Sequence, residues 1–145
     1  IETQRAALKA TEGLSIEIID GASDPKAVSS SLMAEVFRVC YVPTQVRNGN
    51  AALVEDSQEC RLDLNEAFFR LLAERFAHRV LLVVARRAEA RHRLAGGSLS
   101  FAKGQRICGR YWGYPLGEAP IPFLHFECCY HLIVEHAIRC GYMRV

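Results

Sequence analysis

Apolar and polar residues alternate through LSIEIID, Leu14 to Asp20, a run bounded by Gly13 and the turn residues GASDP. A period of two between turn signals predicts a half-buried strand. From about Lys26 to Val42 the period changes. Val28, Leu32, Val36, Phe37 and Cys40 recur at helical spacing behind Asp24-Pro25, which predicts a helix with its start signal. Residues 43–59, PTQVRNGNAALVEDSQE, show Pro, Asn-Gly-Asn and an acidic cluster without periodicity, and read as a surface loop and the best site for an insertion. DLNEAFFRLLAERFAHR follows as an amphipathic helix capped at Asp63 or Asn65, with Leu64, Phe68, Leu71, Leu72 and Phe76 as its expected buried face.

Three strand-like runs come next, Arg79 to Arg87, Leu94 to Gly104 and Gln105 to Tyr114. Their polar joins are too short for parallel crossovers, so the three predict an antiparallel meander. The proline-rich PLGEAPIP then leads into a helix over Leu124 to Cys140, stopped by Gly141 in the C′ position. The closing YMRV begins a further strand. The expected order is β, α, α, β, β, β, α, β, an α+β sandwich in one domain spanning residues 1–145.

Composition narrows the function classes. A chain of 145 residues, half of them hydrophobic, makes one domain with a core. A formal charge of +2 gives no strong electrostatic footprint for nucleic acid. No apolar run approaches the roughly 20 residues of a membrane span. The six cysteines have no regular spacing and no signal peptide precedes them, so reduced thiols are expected. The chain begins with Ile and ends on an apolar run just begun, as a processed chain or a fragment would.

The richest chemistry lies in PIPFLHFECCYHLIVEHAIRCGY, residues 120–142. On one α-helix, at about 100° per residue, His125, Cys129, His136 and Cys140 fall within about 60° of arc. The first and last would lie about 22 Å apart along the axis, too far for one ion. They reduce to two i,i+4 pairs, each supplying two of the four ligands of a structural zinc site. No metal is expected from the spacing. Glu127, His131, Glu135 and Arg139 form a second stripe of alternating charge, and the apolar remainder, Phe126, Leu132, Ile133, Ala137 and Ile138, predicts a mostly buried helix.

GRYWGY, IPFLHFECCY and AIRCGYMRV together resemble the FemAB-like peptidoglycan biosynthesis/recognition family, whose members have the acyltransferase fold of the GNAT superfamily; AFFRLLAERFAHRVLLVVA resembles its helix and first meander strand. The resemblance covers about Leu64 to Val145. It implies a GNAT-like domain, incomplete at its C-terminus, with an antiparallel meander, flanking helices and a final strand that diverges to open a donor cleft. It further implies an N-acyltransferase moving an acyl or aminoacyl group to an amine, with acyl-CoA or aminoacyl-tRNA as donor and no bound cofactor.

On the matched positions, the resemblance makes His125 or Glu127 the base that takes a proton from the amine, and Arg110, Tyr111, Trp112 and Tyr130 the substrate pocket. Leu132 stands where the family usually has Gln, and the loop EAPIPFLHFE carries Glu118 and Glu127 but no Lys or Arg, unlike the basic phosphate turn of GNAT enzymes. A structural alternative pairs Arg110 with Glu127 and spreads Tyr111 and Trp112 over the two faces of a strand. The competing function is a non-catalytic accessory subunit bound to other protein subunits. The expected compartment is the cytoplasm for a bacterial chain, or a chloroplast or mitochondrion for a eukaryotic one.

Overall fold

In the computed structural model, which describes residues 1–49, 64–90 and 93–145, strand β2 (Val80–Arg87) lies inside the sheet and is covered on both sides. It pairs antiparallel with β1 (Leu14–Asp20) and with β3 (Arg93–Lys103), and β3 pairs antiparallel with β4 (Arg106–Gly113). The sheet order is β1-β2-β3-β4: β2 to β4 form the expected three-strand meander, and β1 extends it along the free edge of β2. Gly104, at φ +59, makes the tight β3–β4 turn, a backbone conformation that glycine adopts without strain.

Period-two alternation sends Val80, Leu82 and Val84 into one core cluster and Leu81, Val83 and Ala85 into another. The first cluster is closed by α2 (Ser30–Val36) and α4 (Glu66–Phe76); the second by α1 (Glu2–Lys9) and the helical run 124–140. Helices on both faces of a four-stranded antiparallel sheet make the chain an α+β sandwich.

Several elements differ from expectation, each for a local reason. Helix α1 carries no apolar periodicity in its sequence, since ETQRAALK is largely polar and buries only Leu8. Residues 25–27 form a separate 3₁₀ turn, and α2 begins later, where the Ser29 hydroxyl accepts from Leu32 N at 3.1 Å. The helix then continues through a π-helical turn, Phe37–Tyr41, into α3 (Val42–Arg47). The loop expected from Pro43 is therefore helical to Arg47. Proline removes one backbone donor and crowds the preceding turn, and here it follows a widened turn. The remainder of that expected loop, 50–59, with Cys60 and Asp63, lies outside the described residues.

Helix α4 is capped by Asn65, whose side chain accepts from Phe68 N at 2.9 Å. Its buried face is rotated from the expected one. Phe69 and Leu72 are buried, Leu64 is partly buried, and Phe68, Leu71 and Phe76 are exposed. Two adjacent phenylalanines are equivalent to a periodicity count, and the partner decides: Phe69 enters an aromatic cluster with Phe37 and Tyr41, ring centroids 5.2 Å away in each case.

The run 124–140 is helical over its expected length, but as α5 (Leu124–Phe126), a second π turn (Glu127–His131) and α6 (Leu132–Cys140). Gly141, at φ +76, ends it, and Tyr142 N donates to Ala137 O at 2.9 Å, as a C′ glycine permits. The expected deep burial fails for Phe126 and Ile138, which are exposed. The further strand expected at YMRV is reduced to an isolated parallel bridge between Arg106 and Arg144, beside the start of β4.

An ideal Cβ on Gly113 would stand 2.0 Å from Cys40 O and 2.6 Å from Thr44 Oγ1. The end of β4 therefore touches the α2–α3 helix backbone. Gly113→Ala is expected to destabilise the fold by about 3 kcal/mol or more, read as a lowered urea midpoint; an unchanged midpoint would contradict this close approach.

Candidate functional site

In the β3–β4 ladder Leu99 pairs with Tyr111 and Ser100 with Gly109, which leaves Arg110 as an extra residue in β4. Such a bulge breaks the ladder and re-aims the side chains around it. The segment is held from behind by the helical run 30–47. Thr44 Oγ1 donates to Trp112 O at 3.0 Å, Arg47 Nη1 donates to Tyr114 O at 2.9 Å, and the Arg47 guanidinium lies 3.6 Å from the Tyr114 ring centre.

The other wall is the start of the run 124–140. Phe123 precedes it at φ +65, a left-handed conformation that is strained for an aromatic residue. His125 then meets Trp112, Phe126 and Tyr130, with ring centroids at 5.3, 5.6 and 5.7 Å. Its side chain has these ring contacts but no hydrogen bond among the described residues.

Between the two walls lies a cavity of about 360 Å³ lined by Arg110, Tyr111, Trp112, His125 and Tyr130, together with Ser98, Ser100, Cys129 and Val145. Five of the six residues singled out from the sequence thus meet in one place. Arg110 reaches the Tyr111 ring at 5.7 Å rather than pairing with Glu127. Tyr111 packs against the α2/α4 core and Trp112 against the opposite one, so this pair does straddle the sheet while its edges reach the cavity.

Glu127 does not line this cavity. It is buried and accepts from Arg5 Nε at 2.9 Å, while Arg5 Nη1 donates to Glu135. Hydrogen bonds to Glu135 and then to Glu127 hold the Arg5 guanidinium above its usual range, and the same contact holds the Glu135 carboxyl below the carboxylate range. The two glutamates of the expected Glu-His-Glu-Arg stripe are therefore bound from outside, by Arg5 of α1, whereas Arg139 meets His136.

Cys129 also lines the cavity, but burial pushes its thiol up to about 12, with a hydrogen bond to Ser98 opposing. It is a neutral thiol at physiological pH and a poor nucleophile. The four Cys and His positions expected on one face are split: His125 and Cys129 border the cavity, whereas His136 and Cys140 meet Asp20. The intervening π turn adds about one residue, or about 100°, of rotation.

The sequence reading missed Ser98 and Ser100, and with them the brace of Thr44 and Arg47. The two serines had a legible signal, since they are polar residues at i,i+2 in a strand that is otherwise buried and apolar. The brace had none, because it joins residues about 70 positions apart.

These features define an α+β sandwich protein with one aromatic and cationic cavity at a bulged sheet edge. The FemAB_like family profile, described as peptidoglycan biosynthesis/recognition, matches residues 2–145, and the chain belongs to that family. The match takes in the N-terminal half, which the resemblance of Leu64 to Val145 left out. No curated protein and no solved structure matches the chain. Among the described residues, no helix is long and apolar enough to cross a membrane.

Arg5→Ala is expected to cost about 1–3 kcal/mol, since it leaves the buried Glu127 carboxylate without its partner; chemical denaturation measures it. Alkylation at neutral pH, followed by peptide mass mapping, should label the exposed Cys108 and Cys140 well before Cys40, Cys128 and Cys129.

Proposed function

We propose that the chain is an N-acyltransferase-like domain of GNAT or Fem type, which transfers an acyl or aminoacyl group to an amine in peptidoglycan-related chemistry. The observation that carries this reading is the meeting of Arg110, Tyr111, Trp112, His125 and Tyr130 around one cavity. His125 is the base. The amine nitrogen attacks the donor carbonyl carbon, a C–N bond forms as the C–S or C–O bond to the donor breaks, and the amine proton passes to His125. The leaving thiolate or alkoxide then takes that proton from His125, which restores the base.

Arg110 is the cation that faces the donor's phosphate groups, whether they belong to acyl-CoA or to aminoacyl-tRNA. Backbone groups freed from the ladder at the Arg110 bulge suit the carbonyl oxygen as its charge grows. Tyr111, Trp112 and Tyr130 orient the reactants, which contributes through proximity. Glu127 serves the reaction indirectly, as the anchor that Arg5 uses to hold the helix bearing His125.

A second reading is favoured by one feature. Phe126, Tyr130, Val134 and Ile138 recur every four residues, and each is more than 40% exposed. A stripe of this kind suits a non-catalytic accessory subunit docked to another protein.

An amine-transfer assay with acyl-CoA and with aminoacyl-tRNA decides between the two. Under the enzyme reading, one donor raises the melting temperature, His125→Gln lowers kcat by about 10²–10⁴, and Arg110→Ala raises KM for that donor. If neither donor shifts the melting temperature or is consumed, or if His125→Gln keeps the full rate, the catalytic reading fails.

A further inference from the structure

Helix 124–140 carries His136 and Cys140 four residues apart, two donor atoms in search of others. The fold brings a third from the far end of the chain. Asp20, the last residue of β1, places Oδ2 at 3.1 Å from His136 Nε2, and Cys140 Sγ stands 3.6 Å from the same nitrogen. One donor atom from each of the three lies within 4.8 Å of the others.

We propose that Asp20, His136 and Cys140 form a three-ligand site for a divalent cation of the zinc class, which pins the end of β1 to the last turn of α6. Zinc bonds of about 2.0–2.3 Å at a tetrahedral angle separate donor atoms by roughly 3.3–3.6 Å, close to the 3.1 and 3.6 Å found here. A set of one imidazole, one thiolate and one carboxylate selects zinc-like metals over magnesium or calcium, which take oxygen donors.

The surroundings are ordered as a ligand shell requires. His136 is buried, and the Asp20 carboxylate is held by Ala22 N at 2.9 Å and by the Ser23 hydroxyl at 3.1 Å. Cys140 is exposed, so the fourth position opens to water. Arg139 opposes the ion: its Nη2 lies 3.2 Å from His136 Nδ1. In that arrangement Nδ1 accepts and Nε2–H donates to Asp20. Metal on Nε2 requires the ring proton on Nδ1, so the exposed Arg139 side chain turns away as the ion enters. Binding releases the Cys140 thiol proton and leaves one proton on the imidazole.

The site is independent of the cavity that holds His125, and its test does not involve transfer activity. The metal-stripped protein is titrated with Co²⁺ and then with Zn²⁺. One equivalent of Co²⁺ is expected to produce thiolate charge-transfer absorption with tetrahedral d–d bands, and Zn²⁺ should displace it and raise the melting temperature. Cys140→Ser, a change at an exposed position, is expected to lose both responses while keeping the native circular dichroism. Arg139→Gln should tighten binding by on the order of tenfold, the size of effects from groups just outside the ligands. The proposal is overturned if no one-equivalent complex forms, if the thiolate band survives in Cys140→Ser, or if Mg²⁺ stabilises the protein as well as Zn²⁺ does.

Discussion

Through its first six residues, strand β2 has no face left for water. Val80, Leu82 and Val84 are covered by α2 and α4, and Leu81, Val83 and Ala85 by the N-terminal and C-terminal helices, with each of the six at most 2% exposed. At about 1.5–3 kcal/mol for a fully buried aliphatic side chain, this strand organises both halves of the core. Because both faces are taken, the sheet can offer a ligand only an edge. Strand β4 is the edge at which the bulge, the brace from the α2–α3 run and the start of the C-terminal helix converge.

Both long helical runs contain a π turn, and each turn lies beside that edge. The first carries Cys40, whose carbonyl backs directly onto Gly113; the second, Glu127–His131, carries Cys129 and Tyr130 into the cavity while Glu127 turns to Arg5. Widened turns of this kind change which residues share a face. The result is a helix with three separate commitments: an aromatic end at the cavity, an ionic contact with α1, and a Cys/His end beside β1.

These commitments bear on function through chemistry rather than fold, since one architecture hosts many activities. Membership of the FemAB-like family and a cavity lined by both His125 and Arg110 suit the group transfer proposed there. The exposed row from Phe126 to Ile138 runs along the same helix, so a partner docked there would lie next to the mouth bordered by Tyr130.

Local patterns in the sequence determined the meander, the limits of the 124–140 helix with its Gly141 stop, and the group Arg110, Tyr111, Trp112, His125 and Tyr130. Alternation, turn glycines and short joins act between neighbours, and the family motif supplied the rest. Only the tertiary structure decided that Phe69 rather than Phe68 is buried, that Pro43 lies within a helix, that Glu127 belongs to Arg5, and that His136 faces Asp20. Each of these depends on a partner distant along the chain or on one extra residue in a helical turn. Periodicity cannot register either, because it counts positions along one element and takes no account of what packs against it.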